Sequence, residues 1–286
     1  MLTPEQLKGK IRNIAKLKKL SSQEILQMYL FERVLERLSK SKYAKNFILK
    51  GGFLIASMIG VDERTTMDID TTIEGVSMEI KTIESIIKEI PSIDVNDGIE
   101  FEYDRIEPIK ENDDYNNFRA FFNAKYGRIN NPMKMDITTG DKITPAAIEY
   151  KYPTIFEDKE IDVIAYNLET ILAEKFETVI RRNIGNTRTR DYYDLYMLYI
   201  TYKNNLNFTV LEEAIKRTSK NRGSLAQIEE WKEIIDEISE EEEIKKLWEV
   251  YRNEYTYANK ISFEDVLKIL YEIGESLSNN ISIWYH

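Results

Sequence analysis

Two aspartates spaced two residues apart are the feature of this sequence best suited to chemistry. Asp68 and Asp70 flank Ile69 in an alternating segment that predicts a strand over 67–73. Side chains at positions i and i+2 of a strand share one face, so the two carboxylates should lie together while Ile69 enters the core. Adjacent carboxylates repel unless a cation lies between them, and hard oxygen ligands select Mg²⁺ or Mn²⁺. An isolated Asp-x-Asp is also common at a solvated strand edge, and the pair alone leaves that interpretation open.

A glycine pair lies upstream of the two aspartates. Gly51 and Gly52 follow a short apolar run over 46–50 and precede a predicted helix over 53–59. Glycine lets the backbone approach a ligand closely, and the start of a helix offers N–H groups to a phosphate. The competing interpretation is an ordinary tight turn. Taken together, the two motifs predict phosphate-binding amides beside metal-binding carboxylates.

The composition removes several other kinds of chemistry. There is no cysteine, and the single histidine, His286, is the last residue. Thiolate nucleophiles, Cys-based metal sites, Ser-His-Asp catalysis and histidine clusters are therefore excluded or nearly so. No segment has the ~18 apolar residues of a membrane helix, and the N-terminus lacks the apolar core of a signal peptide. We expect a cytoplasmic protein that makes no use of a membrane.

Strands and helices that must position these residues are concentrated in the first part of the chain. Thr3 with Pro4 predicts a helix start, and Ser21 with Ser22 predicts a second. Further strands are predicted over 99–103, 118–126, 133–138 and 161–166, with a helix over 78–89. After about Asn167 only helices are predicted, over 168–183, 191–204, 208–218, 228–238, 241–255 and 263–277. This pattern predicts an α+β fold, with a mixed sheet and flanking helices in residues 1–166 and a helical bundle in residues 167–286.

The first motif resembles that of the AbiEii-like toxins, a branch of the nucleotidyltransferase superfamily related to DNA polymerase β. That branch has Lys-Gly-Gly, an apolar helix and then Arg-x-Ser-x-Asp-x-Asp. This sequence has Lys50-Gly51-Gly52 and later Arg64, Thr66, Asp68 and Asp70 at the same spacing, with Thr66 keeping the hydroxyl of the serine. Arg64 is expected to meet phosphate or to hold the loop, unless it forms only a surface salt bridge.

A second motif of the same branch occurs downstream. The branch has Ala-Glu-Lys, an arginine and then Arg-Asp-x-x-Asp-Leu. Here Ala173-Glu174-Lys175 is followed by Arg181 and then by the segment 190–195, which contains Asp191 and Asp194. The resemblance covers about residues 46 to 200.

The resemblance implies roles for individual residues. Asp68 and Asp70 would bind Mg²⁺ or Mn²⁺, Lys175 would contact the triphosphate, and Asp191 would orient Lys175 or the nucleotide. Lys50, Gly51, Gly52, Arg64, Thr66 and Asp194 would complete the nucleoside triphosphate site. A third acid on a neighbouring strand often activates the attacking hydroxyl in the superfamily. Asp136, in Lys134-Met135-Asp136, is the candidate, and Asp141 is a weaker substitute.

The implied function is that of a toxin in a bacterial toxin–antitoxin or abortive-infection system that defends against phage. Some relatives add nucleotides to the 3′ end of transfer RNA, and a cognate antitoxin would be encoded nearby. The net charge of −10 does not favour a nucleic-acid binder, but the basic residues are clustered. They are Lys8, Lys10, Arg12, Lys16, Lys18 and Lys19, and then Arg181, Arg182, Arg188 and Arg190. Two alternatives stay open: transfer to a small molecule or a protein, and a non-catalytic regulator that binds nucleotide or RNA.

Overall fold

A computed structural model describes residues 2–109 and 117–278 of the chain; His286 lies outside them. The chain divides into two compact units. The first comprises the chain up to Asp141 together with Ala147–Tyr166, and the second comprises Lys142–Ala146 together with the chain from Asn167 onward. Among the described residues, no helix is long and apolar enough to cross a membrane.

The first unit opens with two capped helices. Helix α1 covers Pro4–Lys18 and helix α2 covers Ser22–Ser39. Thr3 and Ser21 each accept a hydrogen bond from the backbone N–H three residues later, and the side chain of that residue bonds back to the cap. These capping boxes satisfy donors that the helix itself leaves unpaired, which is why both helices begin where the sequence predicts. Helices α3 (Gly51–Ile59) and α4 (Ile80–Glu89) follow later in this unit.

A seven-stranded mixed sheet forms the centre of the first unit. Its strands are β1 Phe47–Lys50, β2 Ile69–Ile73, β3 Glu100–Pro108, β4 Phe118–Tyr126, β5 Ile129–Thr138, β6 Ile148–Pro153 and β7 Glu160–Ala165. Their order is β3-β4-β5-β2-β1-β7-β6. The pairs β2–β5 and β1–β7 are parallel, and the other neighbours are antiparallel. The predicted α+β class with a mixed sheet is therefore confirmed.

The two faces of this sheet differ in polarity. Along β5, Met133, Met135 and Ile137 are buried, whereas the alternate residues Lys134 and Asp136 are only half-buried. Strand β4 alternates in the same way. The apolar face packs on helices such as α4, which contacts β3 and β4. The opposite face of these strands presents polar side chains, and the candidate acids belong to it.

Four expectations about individual elements need correction. Strand β2 begins at Ile69, so Asp68 lies immediately before the strand instead of within it. Strand β3 extends to Pro108, well past the predicted end at 103. Strand β6 was not predicted, because its residues are mostly polar and exposed, as befits an edge strand. The single helix predicted over 228–238 is in fact two, Leu225–Glu229 and Trp231–Glu240, with a break at Glu230.

All the regular secondary structure in the described part of the second unit is helical. Its helices are α5 Leu168–Arg182, α6 Thr189–Tyr202, α7 Phe208–Arg222, α8 Leu225–Glu229, α9 Trp231–Glu240, α10 Glu242–Glu254 and α11 Phe263–Ser278. Single 3₁₀ turns cover Ile90–Ser92 in the first unit and Asn183–Gly185, Lys203–Asn205 and Thr256–Ala258 in the second. Asn167 caps α5 by accepting a hydrogen bond from the N–H of Thr170. Trp248 is fully buried among these helices, in keeping with a core role.

Candidate active site

Four of the polar side chains lie in one row across the sheet of the first unit. Lys50 on β1 pairs in register with Asp70 on β2, and Asp70 pairs with Asp136 on β5. Arg119 on β4 pairs with Asp136 from the other side. Residues paired across neighbouring strands point to the same face. The sheet therefore brings Asp70 and Asp136, which are 66 positions apart in sequence, onto one surface.

Gly51 begins α3 with its backbone directly against Asp70. Its φ is +67°, and a Cβ built on it would lie 2.0 Å from Oδ2 of Asp70. Both the positive φ and this close approach require glycine. Lys50, at the N-cap position, makes no side-chain capping hydrogen bond to α3. The first N–H groups of this helix thus start beside an aspartate of the candidate metal site.

The backbone of Gly52 makes a similarly close contact with the loop that precedes the two aspartates. A Cβ on Gly52 would lie 2.9 Å from a terminal nitrogen of Arg64 and 3.0 Å from Oγ1 of Thr66. The same hydroxyl accepts a hydrogen bond from the N–H of Asp68 at 3.3 Å. Arg64 is only 4% exposed and donates to the carbonyl of Thr65. Arg64 is therefore a buried residue of this loop and does not lie on the surface.

Each of the two other acids on this face lies against a basic side chain. Lys134 Nζ is 2.8 Å from Oδ1 of Asp68, although this oxygen is buried and takes part in no hydrogen bond of normal geometry. Arg119 donates from Nε and from a terminal nitrogen to the two oxygens of Asp136, both at 2.6 Å. Such a fork-to-fork pair is the strongest geometry available to arginine. Both oxygens of the candidate base Asp136 therefore accept hydrogen bonds from Arg119.

The electrostatics of Arg119 indicate that three acids lie near it. Its pKa is raised above the ordinary arginine value, first by the hydrogen bonds to Asp136 and then by the negative charges of Asp136, Asp68 and Asp70, against the opposing effect of partial burial. A charge acts on a pKa in this way only at short range. The negative charges of Asp68, Asp70 and Asp136 therefore all lie near Arg119 on this face.

Lys50 and Asp141 form a separate pair beside these acids. Lys50 Nζ donates to Oδ2 of Asp141 at 2.6 Å, and the hydroxyl of Thr138 donates to the same oxygen at 2.9 Å. Lys50 also lies 5.7 Å from the centre of the Tyr166 ring. Asp141, the weaker candidate for the base, is therefore bonded to Lys50.

The donor set fits a divalent ion that is completed by its substrate. Mg²⁺ in phosphate chemistry is usually held by one or two carboxylates together with substrate phosphates. Asp68 and Asp70 supply two hard oxygen donors, and Oδ1 of Asp68 has the Lys134 ammonium 2.8 Å away but accepts no hydrogen bond of normal geometry from the described residues. Within residues 2–109 and 117–278, no three acidic, histidine or cysteine side chains converge as a preformed metal cluster.

In the second unit, the three residues of the later motif are in direct contact. Lys175 on α5 lies 2.6 Å from Oδ1 of Asp191 and 2.9 Å from Oδ2 of Asp194, both on α6. The side chain of Asp194 is fully buried and that of Asp191 is 9% exposed. The other oxygen of Asp191, Oδ2, is buried and accepts no hydrogen bond from any residue that the structure describes. The three side chains together carry one net negative charge, and the two carboxylates fix the ammonium group in position.

Neighbouring residues of this motif are largely used for structure. Tyr192 and Tyr193 are fully buried, so they belong to the core and offer no ring to a base. Arg181 is bonded to the buried Glu177 at 2.7 Å, and Arg190 donates to the hydroxyl of Tyr255 at 2.8 Å. The second basic group of the sequence is therefore partly engaged in internal contacts.

The basic partners of the acids are the site residues that the sequence did not reveal. Lys134 was visible only as a neighbour of Asp136, and Arg119 was not singled out. The alternation of Phe118–Tyr126 places Arg119 on the polar face of β4, but only the register with β5 sets it opposite Asp136. The two strands are joined by the two-residue turn Gly127-Arg128, a hairpin signal from which this register could have been predicted.

Comparison with known families identifies the family of the chain. The family model described as "Nucleotidyl transferase AbiEii toxin, Type IV TA system" matches residues 33–269, which is most of the chain. The protein is therefore an enzyme of the nucleotidyltransferase class. Within that class, the chain belongs to the AbiEii family of nucleotidyltransferase toxins of type IV toxin–antitoxin systems.

Three solved structures resemble the chain at low sequence identity. A candidate nucleotidyltransferase from H. pylori is 16% identical over 93% of this chain and 100% of its own, with a TM-score of 0.48. JHP933 from Helicobacter pylori is 17% identical over 91% and 96%, with a TM-score of 0.47. An antigenic nucleotidyltransferase-like protein from Paracoccidioides brasiliensis is 15% identical over 79% and 92%, with a TM-score of 0.37. No curated protein matches the chain. Similarity at this level assigns no residue role here.

Proposed function

We propose that this toxin transfers a nucleotide from a nucleoside triphosphate to the 3′ end of an RNA, with transfer RNA as the acceptor. The observation that carries the proposal is the contact of the Gly51 backbone with the carboxylate of Asp70 on the polar face of the sheet. It joins a helix start suited to phosphate with an acid suited to a divalent ion.

Asp68 and Asp70 would hold Mg²⁺ or Mn²⁺. When bound, the ion supplies positive charge to the phosphate oxygens as pyrophosphate leaves. The N–H groups that begin α3 would bind the triphosphate, and Gly52, Arg64 and Thr66 keep the adjoining loop in place. Lys50, through its pair with Asp141, supports the same helix start.

Lys175 would contribute an ammonium donor to the triphosphate, and Asp191 and Asp194 would orient it. A cation that acts by position must not rotate away, and two carboxylates at 2.6 and 2.9 Å restrict it. The buried Oδ2 of Asp191 is a further acceptor for a donor group of the nucleotide.

Asp136 would accept the proton of the attacking hydroxyl. Each of its two oxygens accepts one hydrogen bond from Arg119 and keeps a second lone pair that could accept that proton. The Arg119 side chain is 37% exposed, which leaves it room to turn toward solvent or toward an acceptor phosphate.

Membership of a toxin–antitoxin family implies a cognate antitoxin. We propose that this antitoxin is encoded nearby and that the pair serves in abortive infection against phage. The reaction would take place in the cytoplasm, where nucleoside triphosphates and RNA are available.

The experiment that tests this function follows a labelled nucleotide. The purified protein is incubated with each α-labelled nucleoside triphosphate and Mg²⁺, in parallel with total cellular RNA, a protein extract and an aminoglycoside. We expect one triphosphate to label transfer RNA, and periodate oxidation of the RNA 3′ end to abolish the labelling. Asp68→Asn/Asp70→Asn should label nothing.

The other outcomes decide between the alternatives. Label in a protein or in the aminoglycoside, with RNA unlabelled, would replace RNA as the acceptor. Nucleotide or RNA binding by the folded wild type without transfer to any acceptor would instead favour a non-catalytic regulator.

A further inference from the structure

Helix α1 concentrates positive charge in a protein that is acidic as a whole. The protein carries a net charge of −10. By contrast, the segment Pro4–Lys18 and its C-cap Lys19 contain six basic residues and a single acid, Glu5. The positive charge on this helix indicates an anionic partner that contacts only this part of the protein surface.

The packing of α1 places four of these cations along one side. Leu7, Ile11 and Ala15 are buried and fix the inward face of the helix. Three of the side chains, at intervals of four residues, form a line beside that face, and the fourth follows at the C-cap, where the backbone is left-handed. They are Lys8, Arg12, Lys16 and Lys19, here called the α1 basic stripe. Arg12, Lys16 and Lys19 are exposed and Lys8 is half-buried.

Internal partners do not account for the stripe. Lys18 is paired with Asp62 at 2.9 Å, and Lys10 lies 6.0 Å from the centre of the Phe156 ring. The four stripe residues, by contrast, make no ion pair with any residue within 2–109 or 117–278. The other basic group of the sequence differs, since Arg181 and Arg190 are bonded inside the second unit.

The corner after α1 adjoins the loop that leads to the candidate metal site. Lys18 bonds to Asp62 in that loop, and the hydroxyl of Thr65 donates to Glu24, in the first turn of α2, at 2.6 Å. Three residues after Thr65 comes Asp68. A polyanion on the stripe would therefore end beside the segment that carries the acids of the first unit.

We infer that the α1 basic stripe binds the phosphate backbone of the acceptor RNA. This inference rests on the proposed function. The stripe runs about 16 Å along the helix axis, at 1.5 Å per residue, and can meet several successive phosphates. Protein–protein interfaces have an apolar core and are depleted of lysine. The α1 basic stripe has three lysines and no apolar core, so it does not resemble such an interface. Leu17, which is 80% exposed, is a single apolar residue and does not make such a core.

The test compares two matched variants with four neutralised cations each. One changes Lys8, Arg12, Lys16 and Lys19 to Gln. The control changes Lys81, Lys232, Lys246 and Lys260 to Gln; these exposed lysines lie on α4, α9, α10 and the turn before α11. Circular dichroism and thermal unfolding verify the fold of both. A third variant, limited to Arg12, Lys16 and Lys19, avoids the half-buried position.

Fluorescence anisotropy with fluorescein-labelled bulk transfer RNA measures the affinity across a range of salt concentrations. The slope of log affinity against log salt should decrease by about 3 in the stripe variant, since each phosphate contact contributes roughly 0.7 to 0.9. Affinity at low salt should fall at least about tenfold. The control should keep the wild-type slope, and in transfer assays the KM for RNA should rise while that for nucleotide stays unchanged.

A stripe variant with the RNA affinity and salt slope of the control would overturn the inference. Unchanged RNA binding with lost affinity for the antitoxin would assign the stripe to a protein partner and would overturn it as well. Because binding is measured without turnover, the two proposals can fail separately. Absence of transfer to RNA would refute the proposed function even if the stripe binds RNA.

Discussion

At the scale of single residues, the candidate site depends on two glycines that leave no room for a side chain. The sequence predicts a close backbone approach at Gly51 and Gly52, but toward a ligand. The structure adds a second reason, since the Gly51 backbone also contacts Asp70 and the Gly52 backbone contacts Arg64 and Thr66. Contacts between segments that are distant in sequence cannot be read from a glycine motif.

Replacing Gly51 with alanine should strongly slow nucleotide transfer. The new methyl group would overlap Oδ2 of Asp70, and the positive φ adds roughly 1–2 kcal/mol of strain. We expect kcat/KM to fall by about a hundredfold or more as the aspartate is displaced. Steady-state kinetics measure this effect.

Gly223→Ala is the matched control for that substitution. Gly223 has the same φ of +67°, but a Cβ there meets nothing within 4 Å. This variant should lose only about 1–2 kcal/mol of stability and keep its activity. Equal activity losses in the two variants would show that the backbone strain, and not the contact with Asp70, is responsible.

At the scale of secondary-structure elements, helix ends were predictable because caps are local. Thr3, Ser21 and Asn167 each satisfy an N–H three residues later, and the helices begin there. Elements defined by distant partners were harder to predict. The polar strand β6 forms because its backbone pairs with β7. Likewise, the polar segment after the predicted end of β3 is a strand because it pairs with β4.

The pairing of α5 with α6 through Lys175 leads to a prediction about stability. Lys175→Met would remove the ammonium group that lies 2.6 Å from Asp191 and 2.9 Å from the fully buried Asp194. Removing one partner of a buried ion pair costs on the order of 3 kcal/mol. We therefore expect a marked decrease in the unfolding midpoint together with loss of transfer.

Two further variants separate stability from chemistry in this group. Lys175→Met/Asp194→Asn should recover much of the lost stability, since one buried charge is removed, but not the activity. Lys175→Arg should retain stability better than Lys175→Met. A Lys175→Met protein that is as stable as the wild type would contradict the role of the two carboxylates as tight partners of the ammonium group.

At the scale of the whole molecule, the sequence supported the α+β class and the family, whereas it could not give the register of the parallel strands. The alternating segments identify faces, but Asp70 meets Asp136 only because β2 pairs in parallel with β5. Arg119 joins them through the antiparallel pairing of β4 with β5. Parallel pairing carries no short turn signal that would reveal it. The acids could thus be named from the sequence. The turn between β4 and β5 could also have placed Arg119 opposite Asp136, whereas the contact of Lys134 with Asp68 depends on the parallel pairing of β2 with β5.

A buried carboxyl group makes the stability of the fold depend on pH. Burial raises the pKa of Glu32 from 4.5 to about 8. As the pH rises, the Glu32 carboxyl therefore loses its proton in the unfolded chain before it does so in the folded chain. The free energy of unfolding consequently falls between about pH 4.5 and about pH 8. Gln at this position removes the titration and keeps an acceptor for the N–H of Ile155, which donates to Glu32 at 2.8 Å.

Urea unfolding at pH 5 and pH 8 measures this effect. From pH 5 to pH 8, the wild type should lose about 1 kcal/mol or more of unfolding free energy compared with Glu32→Gln. Glu149→Gln, at an exposed position of β6, serves as the control and should follow the wild type. An identical pH dependence of Glu32→Gln and wild type would contradict a raised pKa.

The central claim is that Asp68 and Asp70 hold a divalent ion for nucleotide transfer. Electron paramagnetic resonance tests it by following free Mn²⁺ in the presence of protein and a non-hydrolysable nucleoside triphosphate. Wild type and the control Asp162→Asn, at an exposed position of β7, should remove more Mn²⁺ from solution than the nucleotide alone. Asp68→Asn/Asp70→Asn should remove no more than the nucleotide, and its transfer rate should be about a thousandfold lower. Wild-type Mn²⁺ binding, or a wild-type transfer rate, in that double variant would contradict the account.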